Sequence, residues 1–150
     1  MSNQPHIASP AKSRAASAWF NALISETVNF EQIGVHAAML SVRLHPTADP
    51  NRAAARARTL LGLVLRPTDR VEQTTPLSFS VLLSPQKDLA ETVALATVVS
   101  KAFEDADILA STGFAQRRVG ESLLDTWARA EAELDRAAYR AENNDGLTLS

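Results

Sequence analysis

Arg66 and Asp69 are the charged pair with the clearest chemical potential, and they lie three residues apart around Pro67. An arginine side chain is a planar fork of N–H donors that can bond to, or stack on, a flat polar ring, while a carboxylate accepts hydrogen bonds. Pro67 stiffens the segment, so less conformational entropy would be lost on binding. A purely structural interpretation stays open, because an arginine at a helix C-terminus favours the helix dipole and an aspartate in a turn bonds nearby backbone N–H groups.

Other kinds of site lack the residues they need. The sequence has no cysteine, which excludes disulfides, thiolate metal sites and a cysteine nucleophile. His6, His36 and His45 have no acidic residue at metal-ligand spacing, so structural or solvent roles are favoured. No Ser/His/Asp order indicates a nucleophile, and the five glycines form no phosphate-binding loop.

The amino-acid composition of the 150-residue chain, with 45% hydrophobic and 21% charged residues, is typical of a globular protein. The net charge of -2 gives no bulk attraction to nucleic acid or to anionic membranes. The longest apolar run, Leu60–Leu65, is interrupted by Gly62 and is far too short to span a bilayer. Met1–Ala11 is polar and carries no signal-peptide pattern, so we expect a cytoplasmic location and no membrane insertion.

Helix and strand patterns alternate along the chain. Asp49 can cap a helix whose first position is Pro50, and Asp88-Leu-Ala-Glu91 has the form of a capping box. The predicted elements, in chain order, are a helix over Arg14–Val28, a strand over Val35–Leu44, a helix from Pro50 to Leu65, strands over Arg70–Gln73 and Phe79–Leu83, a helix from Asp88 to Phe103, a strand over Ile108–Ala115 and a final helix opened by Ser122. In the third helix, we expect Leu89, Val93, Ala96 and Val99 to form the buried stripe.

This order predicts one α+β domain. A helix followed by β-α-β-β-α-β-α is typical of a ferredoxin-like sandwich, in which helices pack on an antiparallel central sheet. We place the domain at residues 13–143. The polar, aperiodic ends at residues 1–12 and 144–150 are expected to be flexible tails.

Three segments in register resemble the GGDEF (diguanylate cyclase) family over Ala16–Asn143. Leu65–Leu83 has the length and apolar pattern of the family's segment "R-x-x-D, strand, GGDEF, hydrophobic strand". Ser111–Ala115 is similar to its S-x-G-x-A strand. Ala130–Leu134 resembles the A-D-x-A-L of its final helix. The resemblance implies the GGDEF fold, with the departures described next.

The resemblance places the metal-binding carboxylates of the cyclases on the first strand, where this chain has Ser41 and Arg43. Cyclases of the family condense two GTP molecules with Mg²⁺, which needs oxygen ligands, whereas Arg43 is a permanent cation. The segment His45–Asn51 lacks the family's guanine-holding Asn and Asp, and Ala138 replaces an expected lysine. We therefore predict that the chain is not an enzyme and holds no metal or cofactor.

The signature turn has also changed. The five GGDEF positions are occupied by Thr75, Pro76, Leu77, Ser78 and Phe79. Glycines at such a turn let the backbone approach phosphate, whereas a proline adds bulk and removes an N–H donor. Leu77 and Ser78 replace the acidic pair, and the retained Phe79 is expected in the core. These positions describe a degenerate active site.

The family's inhibitory site for cyclic di-GMP is an R-x-x-D at a fixed distance before GGDEF, and Arg66 lies nine residues before Thr75. The resemblance thus implies that Arg66 could donate a bidentate pair of hydrogen bonds to guanine O6 and N7, while Asp69 accepts hydrogen bonds from guanine N1–H and N2–H. Arg70 and Lys101 are candidate helpers.

Two binding hypotheses follow, and in both we expect the protein to act through a protein partner, because so short a chain carries no separate sensor or output domain. In the first, an inactive GGDEF-like receptor senses cyclic di-GMP through Arg66 and Asp69, with Arg70 assisting, and can form a homodimer. In the second, the fold is an assembly platform that binds no nucleotide. We expect no nucleic-acid partner in either case.

Overall fold

The computed structural model describes residues 10–33 and 36–149, with side-chain surroundings for residues 17–30 and 36–141. The predicted order of elements is confirmed. The elements are α1 (Pro10–Ile33), β1 (Ala38–Leu44), α2 (Pro50–Val64), β2 (Arg70–Thr75), β3 (Ser78–Leu83), α3 (Leu89–Asp105), β4 (Ala110–Gln116) and α4 (Leu123–Leu149). In the described part of the chain, no helix is both long enough and apolar enough to cross a membrane.

The four strands form one antiparallel sheet in the order β2-β3-β1-β4. This is the ferredoxin-like arrangement that the sequence predicts, with β2 and β4 at the edges. Side chains alternate across β1, so Leu40 and Val42 face the core under α2 and α3, whereas Met39 faces the core under α1 and α4. Helices therefore cover both faces of the sheet.

Gly113 on β4 fixes how closely the last helix approaches the sheet. A Cβ atom at this position would lie 2.2 Å from the backbone nitrogen of Leu134 and 2.5 Å from the carbonyl oxygen of Ala130. Both atoms belong to the α4 backbone, which cannot swing aside as a side chain could. Helix α4 thus rests directly on the strand, as the absence of a side chain allows.

The helix starts follow the predicted caps. The Asp49 carboxylate accepts a hydrogen bond from the backbone N–H of Arg52 at 3.1 Å. The Asp88 carboxylate accepts from the N–H of Glu91 at 2.9 Å. The Glu91 carboxylate accepts from the N–H of Lys87 at 2.8 Å, one residue earlier than the ideal capping box places it.

The buried stripe of α3 differs from the prediction. Leu89 and Val93 are 55% and 42% exposed, and the inward positions belong instead to Thr92, Ala96, Val99 and Phe103. The Thr92 hydroxyl accepts from Gln86 and donates to Gln116 at 2.7 Å, so a polar residue occupies an inward position. Hydrophobic periodicity cannot reveal such a position, because it counts apolar residues only.

Both terminal helices extend past the expected domain boundaries. Residues 144–149, expected as a flexible tail, continue α4, and residues 10–12 belong to α1. The preceding residues, 137–142, are rich in alanine and also include arginine and glutamate, all of which favour helix, and no proline follows them to stop it. Residues 1–9 and 150, the rest of the expected tails, lie outside the described residues.

Candidate functional site

The structure brings Arg66 and Asp69 together in the turn that links α2 to β2. Helix α2 ends at Val64, and the N–H of Asp69 bonds to the carbonyl of Arg66 at 3.0 Å. The Nε and Nη2 atoms of Arg66 donate to the two Asp69 oxygens at 3.1 and 2.8 Å, which is a bidentate ion pair. The predicted pair therefore exists as a unit, formed within the chain.

The Asp69 carboxylate is fully occupied by this chain. Its side chain has 0% exposure. Besides the guanidinium, it accepts from the backbone N–H of Arg66 at 2.9 Å and from that of Ser84 at 3.2 Å. Such a carboxylate secures the turn against the end of β3, and it presents no free oxygen to a ligand.

The Arg66 guanidinium uses four of its five N–H groups on internal acceptors. Nε and one Nη2 N–H bind Asp69, the other Nη2 N–H binds the side-chain oxygen of Gln86, and Nη1 binds the carbonyl of Pro85 at 2.9 Å. The Glu91 carboxylate lies 3.6 Å from Nη1. The bond to Asp69 raises the pKa of Arg66 against the opposing effect of burial. The side chain keeps 33% exposure.

The two candidate helper residues point elsewhere. Arg70 lies over the Trp19 ring, 5.8 Å from its centroid, and its Nη1 is 3.6 Å from the Glu26 carboxylate, so it contacts α1. Lys101 bonds to Asp105 at 2.8 Å on the exposed side of α3. The structure therefore brings neither residue into the hydrogen-bond network of Arg66.

Of the two β1 residues that the resemblance aligned with metal-binding carboxylates, Arg43 reaches across to the last helix. Its Nη2 lies 3.0 Å from the Asp135 carboxylate and 3.9 Å from that of Glu131. Ser41 is completely buried, and among the described residues its hydroxyl has no hydrogen-bond partner. In the register of the sheet Ser41 lies opposite Ser80. An arginine with two carboxylate neighbours thus occupies this end of β1.

The segment that the resemblance aligned with the GGDEF signature forms the hairpin between β2 and β3. Thr75 ends β2, Pro76 and Leu77 make the turn, and Ser78 begins β3. The carbonyl of Leu77 accepts from the N–H of Leu44 at 2.7 Å, which ties the turn to the end of β1. The prediction that the retained phenylalanine, Phe79, belongs to the core is confirmed, since it is 1% exposed.

A cavity of about 550 Å³ separates this hairpin from α4. Its polar lining includes Arg43, Glu131 and the hydroxyls of Thr75 and Ser78, and Trp127 forms part of the wall. Among the described residues, no group of three or more His, Cys, Asp or Glu side chains is arranged to hold a metal ion. The cavity offers one ion pair and hydroxyl groups.

A second, partly buried ion pair, Glu121 with Arg129, was not predicted from the sequence. Arg129 donates to the Glu121 oxygens at 2.7 and 2.8 Å, and these bonds lower the pKa of Glu121 to about 2. Thr126 and the backbone N–H of Arg118 also bond to Glu121. The only available signal was an acidic residue beside the helix start and an arginine two turns later.

The fold has close counterparts among solved structures. No protein-family model matches the sequence, and no curated protein does so either. The GGDEF domain of DgcB from Caulobacter crescentus, in complex with c-di-GMP, is 17% identical with a TM-score of 0.70, over 83% of this chain and 84% of that chain. A microbial GGDEF domain studied for its interaction with cyclic di-GMP is 16% identical with a TM-score of 0.70, over 83% and 87%.

A third similar structure contains a protein partner. The diguanylate cyclase SiaD from Pseudomonas aeruginosa, in complex with its activator SiaC, is 18% identical with a TM-score of 0.68, over 83% of this chain and 55% of that chain. The chain therefore has the fold of a GGDEF domain. At these identities the likeness defines the fold, and the residues of the site must argue for the function.

Proposed function

We propose that the protein is a catalytically inactive domain of GGDEF fold that works by binding another molecule. The observation that carries this proposal is the ion pair between Arg43 and Asp135. A guanidinium stands where the resemblance puts a metal-binding carboxylate, and a fixed cation repels the Mg²⁺ that would have to sit beside it.

The hairpin supports the same proposal. Pro76 has no N–H to offer a phosphate, and Leu77 turns a carbonyl oxygen toward β1. The inactivity is tested by incubating the full chain with GTP and Mg²⁺ and separating the nucleotides by chromatography. We expect no cyclic di-GMP and no pyrophosphate, whereas a Mg²⁺-dependent product would overturn the proposal.

Protein binding without nucleotide is the mode that the geometry favours. The Asp69 carboxylate is buried and saturated, and Arg66 spends four N–H groups on Asp69, Pro85 and Gln86. Guanine recognition would have to replace these bonds rather than add to them. The complex of SiaD with its activator supports the idea that a protein of this fold class can bind a protein.

Cyclic di-GMP binding is the second candidate. It is supported by the DgcB domain, which was solved with this ligand, and by the 33% exposure of the Arg66 side chain. A ligand could stack on the exposed guanidinium while Asp69 keeps it in place. In this mode the protein would remain partner-dependent, as a receptor that signals on binding and can dimerise.

Calorimetry separates the two candidates. Cyclic di-GMP is titrated into the wild type, into Arg66→Ala and into Arg52→Ala, a control on an exposed arginine of α2. Saturable binding that is lost only in Arg66→Ala supports the receptor. No heat from the wild type at millimolar ligand leaves the nucleotide-free mode. Cytoplasmic location remains an expectation of the sequence.

A further inference from the structure

A groove of about 730 Å³ runs along the outer edge of β4, between α3 and α4. It lies outside the network of Arg66 and outside the cavity beside Arg43. Its lining contains five arginines and one glutamate: Arg117, Arg118, Arg129, Arg136, Arg140 and Glu133. Arg136 is paired with Glu133 and Arg129 with Glu121, so the groove keeps a smaller excess of positive charge, on a chain whose net charge is -2.

The strand at the bottom of the groove has an unpaired edge. The carbonyl of Leu109 bonds to the N–H of His45 at 3.0 Å, and the N–H of Arg117 bonds to the carbonyl of Ala37 at 2.9 Å, so odd-numbered residues pair with β1. In an antiparallel ladder the residues between them point their N–H and C=O groups the other way. Thr112 and Phe114 therefore offer backbone donors and acceptors to the groove, and both line it.

Arg129 marks one end of this free edge, since its Nη2 bonds to the outward carbonyl of Gln116. Within the described residues, no bond uses the outward N–H or C=O of Thr112 or Phe114. An exposed strand edge of this kind is a template for one more strand. Strand addition is a common way for a sheet to bind an extended peptide.

The two walls of the groove have different chemistry. Helix α4 lines one wall with Arg129, Arg136 and Arg140, and α3 lines the other with Leu89 and Ala96. Side chains of an added strand would alternate between these walls, because successive residues point to opposite faces. Every second residue of such a strand would meet arginines, and the residues between would meet small or apolar side chains.

The arginine spacing suits an extended chain. Arg136 and Arg140 are four residues apart on a helix, a rise of about 6 Å. Alternate residues of a strand are about 6.6–6.8 Å apart. Consecutive acidic side chains on one face of a bound strand could therefore each lie near one of these arginines.

We propose that this groove binds an extended segment of a partner protein in which acidic residues alternate with apolar ones, added to the sheet beside β4. The inference rests on the proposed binding role and names its surface and partner chemistry. A second copy of the chain fits less well, since two basic grooves would repel each other. Nucleic acid would match the arginines but not the row of backbone donors and acceptors.

The test measures fluorescence anisotropy with a labelled, capped peptide of four Glu-Val repeats on the full chain. We expect saturable binding that weakens with added salt, and at least about tenfold weaker binding in the Arg136→Glu/Arg140→Glu variant. Arg52→Glu, with a like substitution on α2, should bind within about twofold of wild type. Thermal unfolding of each variant verifies that it is folded.

Strand addition is separated from charge attraction by backbone methylation. Two further peptides carry N-methyl groups on either the glutamates or the valines. The one methylated on the edge that faces β4 should lose binding at least about tenfold, and the other should keep it. Equal loss from both, unchanged binding in the double arginine variant, preference for a single-stranded oligonucleotide, or self-association that the variant abolishes would each overturn the inference. If the peptide test fails while the GTP assay shows no product, this inference is overturned but the proposal of a catalytically inactive domain stands.

Discussion

Arg43 on the first strand and Asp135 on the last helix form an ion pair at 3.0 Å, although 92 positions separate them in the chain. Side-chain exposures are 40% and 65%, so water screens the attraction. The pair therefore sets the charge at this end of the sheet more than it holds the fold together. It places a cation, balanced by protein carboxylates, at the β1 position that the resemblance assigns to a metal ligand.

The energetic weight of this pair can be measured by a double-mutant cycle. We expect Arg43→Ala and Asp135→Ala to show a coupling free energy of only about 0.2–1 kcal/mol in urea unfolding, shrinking with added salt. A coupling above about 2 kcal/mol would mean that the pair is a structural element rather than a surface one.

Asp69 should behave as a structural residue whatever the ligand. Asp69→Ala removes the carboxylate partner of the Arg66 guanidinium and the acceptor of the Ser84 N–H, so we expect a loss of about 2–4 kcal/mol in the free energy of unfolding. The matched control is Asp105→Ala, which removes an exposed partner of Lys101 and should change the free energy of unfolding far less. Urea denaturation measures both. Equal losses in the two variants would contradict the network described for Asp69.

Glu121 makes stability depend on pH in the acid range. Its folded pKa is lowered from 4.5 to about 2, mainly by the bond from Arg129. A depressed carboxylate pKa adds stability that is complete above the unfolded value and disappears as pH falls through the folded value. Relative to Glu121→Gln, the wild type should therefore gain stability above about pH 5 and lose that gain between about pH 4.5 and 2.

The measurement is the unfolding free energy against pH for wild type, Glu121→Gln and Arg129→Gln. In both variants the unfolding free energy should change less with pH in the acid range than in the wild type. At neutral pH, Glu121→Gln should be less stable than the wild type by on the order of 2–3 kcal/mol. Parallel profiles for all three proteins would show that the ion pair does not form in solution.

Alanine substitutions at two glycines should change the stability of the fold in opposite directions. Gly113→Ala pushes a methyl group into the backbone of α4 at Leu134 and Ala130, and we expect a loss of at least about 3 kcal/mol or failure to fold. Gly62→Ala, in α2 with nothing within 4 Å of the added Cβ, should stabilise by about 0.5–1 kcal/mol. Thermal unfolding gives both values, and a tolerated Gly113→Ala would contradict the close approach of α4.

Local signals predicted the elements well because they act over a few residues. The caps at Asp49 and Asp88 are confirmed, each bonding three residues ahead, and the turn before β2 follows from Pro67. Strand geometry alone places the neighbours Met39 and Leu40 on opposite faces of β1. Such features need no knowledge of distant contacts.

Long-range partners are what the sequence could not provide. Asp69 and Arg66 were predicted as a pair, but the groups that enclose them, Ser84, Pro85 and Gln86, arrive through the fold. Whether R-x-x-D faces a ligand or the protein interior depends on those later residues. The basic groove has the same origin, since its arginines come from α4 and from the loop after β4, and its strand edge comes from β4.

The central claim is that Ser41 and Arg43 on β1 hold no divalent cation. A titration of the protein with a divalent ion tests it most directly. Mn²⁺, which can be followed by electron paramagnetic resonance, is added to the full chain with a non-hydrolysable GTP analogue, and the same is done for Ser41→Asp/Arg43→Asp. We predict no saturable protein site in the wild type at up to millimolar Mn²⁺. A saturable site in the wild type that is lost on Ser41→Ala would contradict the account.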